Sequence, residues 1–488
     1  MDQVGLRGLY LVASSLVCLW PVFLLKSIFF ICWVVVLVSE ILFPVAASAL
    51  KRVKPNSWPL LMLLVYSVYL FTTLTLPLAG KFAAGVLLLL GLCGLYRLKK
   101  QHYSLNKAEK WLLFSFALFS VVSIISFFYW PQTRSARMHL EDYVNFIMLV
   151  PLYLLLRQFV FKFKWLIGVL AMVAIMLGCV SIAQFIAMKY YGVTILAIGE
   201  VFWNRPSGSV NPMRYGNISL VLAVIPIVAM LLVRNKVLSL KFLLVLASVL
   251  GLVACFLTQS RGALLSIPVL TFLYGMYLYR AGHPRFLMAL VAGAVLVVGV
   301  VSQQDRVQRS FSSIERYAQG DSRSPLGARF DMFKAAGILI KQSPVFGHGL
   351  NSYSPLATKI RKNTPGMSHE VGMWNNPHNE ILQVMVEKGV IGLITLLLLF
   401  AAPGYLFWQA LKNAGDSKAG QQVRFYAMSG LSLLVVYAVV GLSVALFQHD
   451  VFNHFFTLVV LLFASQIRVI GYMGERAAEE SGRGLPSY

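Results

Sequence analysis

Apolar residues gather into fourteen segments, at roughly residues 9–25, 28–50, 58–80, 82–98, 111–130, 143–161, 165–188, 217–233, 242–258, 263–279, 286–301, 390–411, 425–447 and 449–467. Each approaches the roughly 20 apolar residues that carry an α-helix across the hydrocarbon core. None alternates apolar and polar positions as a transmembrane β-strand does. The pattern predicts an all-α fold, a polytopic transmembrane bundle of 12–14 helices. The lower count applies if a close pair forms one re-entrant or tilted element: only Lys26 and Ser27 join 9–25 to 28–50, and only residues 259–262 join 242–258 to 263–279. The first segment lacks a small-residue cleavage site and is followed at once by another, so a retained helix is expected rather than a signal peptide.

One stretch breaks the pattern. Residues 302–389 are punctuated by Gly, Ser and Pro and carry short helical patches, and loops of such length are uncommon without a purpose. The expected organisation is residues 1–301 as the N-terminal part of the bundle, 302–389 as one large extramembrane loop containing short helices, 390–467 as C-terminal transmembrane helices, and 468–488 as a cytoplasmic tail. With the N-terminus in the cytoplasm, 23 Lys and Arg fall in the cytoplasmic connections and tail, eight in the short opposite loops and eleven in 302–389. Short-loop bias decides topology, so both termini are expected inside and 302–389 outside.

Composition agrees. The 488 residues are 58% hydrophobic and 12% charged, with mean hydropathy +0.75. This excludes a soluble enzyme, a disordered chain and a disulfide-stapled module. The net charge of +24 would suggest nucleic acid in a soluble protein. Here Lys and Arg first serve topology, and no nucleic-acid partner is expected. All five cysteines (Cys18, Cys32, Cys93, Cys179, Cys255) lie in apolar runs, so no structural disulfide is expected.

Four outside patches hold unusual residues. Arg205 and Arg214 lie in a Gly/Pro-rich turn at 203–216. Arg261 lies in Thr-Gln-Ser-Arg-Gly at 258–262. Arg329 opens an amphipathic stretch that ends at Ser343 and Pro344, followed by the turn Phe-Gly-His-Gly at 346–349. Residues 375–382 read Asn-Asn-Pro-His-Asn-Glu-Ile-Leu and run into segment 390–411. Arginine outside opposes the positive-inside bias and needs compensation. A guanidinium beside a membrane grips phosphate or diphosphate bidentately. The plainer reading for any one of these arginines is pairing with lipid headgroups or local carbonyls; four in glycine-containing contexts suit it less well.

His378 is the sharpest single residue. Asn376 reads as an N-cap and Pro377 as the first helical position, with His378 in the first turn. The positive helix end disfavours imidazolium. A neutral ring can take a proton from a hydroxyl, and the same helix end offers N–H groups to an anion. A loop histidine bonded to backbone is the alternative. His348, His369 and His378 lack zinc spacing, and there is no Asp-x-Asp pair and no Walker loop, so no metal and no other cofactor is expected. His449, Asp450 and His454 cluster at the outer end of the last helix as a patch that could support the site or face an acceptor. Glu40 is read as the only acid inside an apolar run, thin support for a transporter.

These residues resemble a known family. The run Pro377-His-Asn-Glu-Ile-Leu-Gln-Val-Met-Val-Glu-Lys-Gly-Val-Ile-Gly392 resembles the His-Asn-x-x-Leu…Glu-x-Gly-x-x-Gly signature of the O-antigen ligase and polymerase superfamily. Ser260-Arg-Gly262 resembles its Ser-Arg-Gly/Ala element. Ala328-Arg329 followed by Pro344-Val-Phe-Gly-His-Gly349 resembles its Arg…Pro-x-x-Gly-x-Gly stretch, and Arg205-Pro-Ser-Gly208 with Asn211-Pro212 another recurrent patch. The resemblance covers roughly residues 140–465 and departs at Phe333, where the family often has Trp. It implies a bacterial inner-membrane enzyme, facing the periplasm and without metal or nucleotide. Its donor is an undecaprenyl-diphosphate-linked glycan, its acceptor a hydroxyl on lipid A core, and membrane lipids surround it. Arg261 and Arg329 would hold the diphosphate and His378 would deprotonate or orient the acceptor hydroxyl. Arg205 joins them by its motif. Arg214 follows from the charge argument alone, and Asn379 is a substrate-binding candidate from the His-Asn pair. Relatives extend the glycan itself, as O-antigen polymerases, or glycosylate protein Ser/Thr. A lipid-linked glycan flippase or transporter is the reading from another class, and it predicts internal repeats and ionisable residues lining the helices.

Overall fold

The computed structural model describes residues 58–98, 105–131, 133–193, 195, 205–232, 238–280, 282, 284–285, 287–288, 291–293, 295, 299, 312–317, 319, 322 and 324–480. The chain divides into two compact units, Met1–Leu60 and Leu61–Tyr488. The segments expected at 9–25 and 28–50, together with Glu40, lie outside the described residues, as does much of 286–301.

The helices run in the order α1 (Trp58–Thr75), α2 (Pro77–Leu98), α3 (Lys107–Phe127), α4 (Arg134–Met148), α5 (Val150–Leu156), α6 (Phe163–Tyr191), α7 (Pro212–Leu232), α8 (Leu238–Leu257), α9 (Arg261–Arg280), α10 (Pro325–Gln342), α11 (Tyr353–Lys362), α12 (Glu380–Asn413), α13 (Lys418–Gly441) and α14 (Asp450–Glu480). Among the described residues there is no strand, and ten stretches are long and apolar enough to cross a membrane, with α4 and α5 counted as one. The fold is an all-α polytopic bundle.

Two helices start well before their apolar segments. The stretch expected at 143–161 begins at Arg134, where the Thr133 side chain accepts the Ala136 N–H at 3.1 Å. The stretch expected at 390–411 begins at Glu380 and reaches 34 residues because two helical pieces join across a break at Gly389. That break is stapled by the turn at 344–349. His348 and Gly349 donate N–H groups to Val386 and Glu387 carbonyls (2.8 and 2.9 Å), and Val390 and Ile391 donate to Pro344 and Val345 carbonyls (2.8 and 3.3 Å). Two glycines permit the crossing. Gly389 and Gly347 have φ of +61° and +69°, and a Cβ on either would lie 2.2 Å from the Val345 oxygen or 2.4 Å from the Glu387 carbonyl carbon. The glycine-rich motifs therefore build the backbone here.

Outside the long apolar helices, α10, α11 and the first turns of α12 close a small core of Met332, Ala335, Ala336, Leu339, Tyr353, Ala357, Val371 and Val386. The connection between α13 and α14 is unusual for a loop, because Val444, Ala445, Leu446 and Phe447 are buried. Phe447 inserts among Phe119, Phe146 and Phe456 with ring centroids 5.9, 5.3 and 5.4 Å away, all edge-on. A buried loop must satisfy its own backbone. Glu380 Oε2 accepts the Phe447 N–H at 3.1 Å, and Asn453 Nδ2 donates to the Phe447 carbonyl at 2.9 Å.

Candidate functional site

Three chain segments converge on that buried connection. The first is the turn between α8 and α9. Arg205 Nε and Nη2 donate to the Thr258 carbonyl at 2.9 and 2.5 Å, and Nη2 reaches the Gln259 carbonyl at 3.5 Å. Helix C-termini leave orphan carbonyls and partial negative charge, which a guanidinium satisfies. Gln259 is left-handed, with φ +52°, and turns the chain so that Arg261 opens α9. Ser260 Oγ meets Asn217 Oδ1 of α7 at 3.2 Å. Gly216 admits the turn, since a Cβ there would lie 2.2 Å from Thr258 Oγ1. Arg205 thus meets carbonyls of the loop that presents Arg261.

The second segment is the start of α7. Arg214 Nη2 lies 3.0 Å from His449 Nδ1. Burial, and then the neighbouring Arg214 charge, hold the His449 imidazole neutral by pushing its pKa well below the usual histidine range. Neutral Nδ1 accepts the guanidinium proton. Next to His449, Asp450 pairs with Lys81 at 2.7 Å.

The third segment carries His378, and here the expected cap is corrected. Asn379, not Asn376, caps α12, its side chain accepting the Leu382 N–H at 3.0 Å. His378 precedes the helix in a left-handed conformation, φ +55°, while Asn376 Oδ1 accepts the His378 N–H at 3.0 Å. Asn376 and Pro377 therefore form a turn ahead of the cap. The imidazole is still neutral, for a different reason: burial first, then the Arg329 charge, push its pKa down to about 4. The same charge effect puts Arg329 and His378 in one electrostatic neighbourhood. His449 also feels His378. Asn379 Nδ2 donates to the Leu442 carbonyl at 3.1 Å, and a Cβ on Gly262 would lie 2.9 Å from Ser443 Oγ. The residue after His378 and the residue after Arg261 thus touch adjacent positions of one loop. His348 stands apart, its Nε2 2.8 Å from the Leu339 carbonyl. His454 packs edge-on against Tyr69, centroids 6.5 Å apart.

Sequence reasoning missed a buried ionic cluster behind the site. Glu380, Glu387 and Lys388 are all but fully buried. Glu387 Oε1 accepts the Asn351 N–H (2.7 Å) and the Gln448 Nε2 (3.2 Å). The Lys388 ammonium lies 3.3 Å from the Tyr143 ring centroid. The signal was there: Glu380, Gln383 and Glu387 follow helical i, i+3, i+7 spacing. At the opposite end of α3, Glu109 pairs with Arg157 and Arg468 at 3.4 and 3.6 Å.

The bundle defines a multi-pass α-helical membrane protein. Residues 246–397 match the O-antigen ligase family. That span holds Arg261, Arg329 and His378; Arg205, Arg214 and His449 lie outside it. A relative from Haemophilus influenzae, named only as an uncharacterized protein, is 26% identical over 362 residues, covering 72% of this chain and 85% of its own length. The family is associated with glycan ligases and polymerases of the glycosyltransferase kind.

Proposed function

We propose that the protein transfers an O-antigen glycan from undecaprenyl diphosphate to a hydroxyl of lipid A core, at the periplasmic face of the bacterial inner membrane. The observation that carries this reading is that Arg214 and the residues next to Arg261 and His378 meet one loop, at 442–449, with the Arg329 charge acting on the His378 ring. A glycosyl diphosphate is already activated, so the protein's task is to stabilise charge on the leaving group and to position the hydroxyl. Arg261, Arg329 and Arg214 face the diphosphate, Arg205 fixes the turn that aims Arg261, and Asn379 anchors His378 against the loop. The acceptor oxygen attacks the anomeric carbon, the carbon–oxygen bond to the diphosphate breaks, and the electron pair leaves with the diphosphate. The acceptor proton passes to the His378 imidazole and from there to solvent. Attack opposite the leaving group inverts the anomeric configuration.

The test is ligation in His378→Ala and Arg261→Ala variants that insert normally. Loss of all capped bands on lipopolysaccharide gels is expected in both, and near wild-type capping in both refutes the mechanism. In a deletion strain, loss of every capped band supports ligase. A single repeat left on core makes the protein a polymerase, and intact lipopolysaccharide with unglycosylated pilin makes it a protein glycosyltransferase.

A further inference from the structure

We infer that the indole of Trp374 is the platform on which the acceptor's sugar ring stacks, its reactive hydroxyl turned toward His378. The inference rests on the reading of the protein as a glycan transferase and names the acceptor subsite of that same site.

Trp374 is half exposed, at 50%, between exposed Met373 and Asn375, in a turn anchored at both ends. Val371 at one end is fully buried in the small core, and Pro377 at the other is buried. Ser354 Oγ donates to the Gly372 carbonyl at 2.6 Å, the Met373 N–H donates to the Glu370 carbonyl at 3.0 Å, and Asn375 Nδ2 reaches Ser135 Oγ at 3.4 Å. The ring is therefore held outward by a rigid turn. Its centroid lies 5.9 Å from that of His378, with the planes inclined at 59°.

A large aromatic face kept in the open beside a neutral imidazole has a specific use. One face of a pyranose presents a row of C–H bonds, apolar and slightly positive. The indole face is apolar and negative. Stacking the two covers apolar area on both partners and leaves the ring hydroxyls at the rim, where the His378 nitrogen can take one. The Arg329 charge acts on the same imidazole. Trp374 and His378 then read as sugar platform and hydroxyl acceptor side by side. A headgroup-level anchor, the common role of Trp at a membrane interface, is the competing use.

The test uses the full chain in nanodiscs, with undecaprenyl-diphosphate-linked glycan as donor and rough lipopolysaccharide as acceptor. Trp374→Ala is expected to raise the acceptor KM roughly tenfold while the donor KM stays within about twofold, and Trp374→Phe, which keeps a flat face, recovers most of the loss. An unchanged acceptor KM, or an equal rise in both constants, overturns the inference. So does Trp374 fluorescence, read as wild type minus Trp374→Phe, that headgroup-brominated lipid quenches and saturating rough lipopolysaccharide does not relieve. If the wild type transfers nothing yet its binding of rough lipopolysaccharide still depends on Trp374, the platform stands and the transferase reading falls.

Discussion

Replacing Gly389 by Ala tests the joint that holds the site's scaffold. The native backbone at this position, φ +61° and ψ −157°, is one that residues with a Cβ occupy only at a cost of about 1–3 kcal/mol. The new methyl would also lie 2.2 Å from the Val345 oxygen and 2.3 Å from its carbonyl carbon, and backbone atoms cannot swing aside as a flexible side chain can. Relief means lifting residues 344–349 off α12, which gives up four main-chain hydrogen bonds at about 1 kcal/mol each. The two contributions together reach about 5–7 kcal/mol, comparable with the whole stability of an ordinary domain. The expected result is a sharply lowered Tm in nanodiscs, new protease cleavage within 344–351, and loss of transfer. Gly337→Ala is the control, since nothing lies within 4 Å of its would-be Cβ in the middle of α10, and it should stabilise by up to about 1 kcal/mol. Wild-type melting and activity in Gly389→Ala would refute the stapled break.

Four further outcomes are expected. Because His378 sits at about 4 rather than in the ordinary histidine range, transfer should stay flat from neutral pH down to about 5 and fall only near 4; its stabilising effect is complete above the ordinary value of about 6.5 and is lost as pH drops toward 4. Arg329→Gln removes the second cause of that depression and should move the acid limb of the rate profile upward. His449→Ala strips the acceptor from Arg214, so the donor KM should rise about tenfold with partial rescue by His449→Gln, and a rise confined to the acceptor KM would contradict it. Phe447→Ala empties the aromatic core beneath the site and should cost about 3–5 kcal/mol in thermal unfolding.

Apolar run length made most of the bundle legible, because burial in lipid demands it; α6 and α8 fall close to their predicted ranges. It missed the polar beginnings of α4 and α12, where Arg134, Arg137, Glu141 and Asp142, or Glu380, Glu387 and Lys388, interrupt hydropathy while leaving helical periodicity intact. The pattern points to Asn376 as the cap, and the structure to Asn379, whose side chain offers the same local chemistry. What separates them is the left-handed His378 between them, and the Asn379 contact to Leu442, 63 positions away in sequence. The Thr258 carbonyl that Arg205 meets lies 53 positions along the chain, beyond the reach of its local motif. In the sequence Arg214 stands out from charge alone, and His449 only as part of a patch at the outer end of the last helix. Their pairing across 235 positions is long-range information that no window along the chain contains.

The connection at 442–449, buried over 444–448, has an energetic corollary. Asn379, Glu380, Glu387, Arg214 and Gly262 each meet this short stretch directly. Substitutions at positions so scattered should therefore fail to add, each double-mutant cycle returning an interaction energy as though neighbours had been changed.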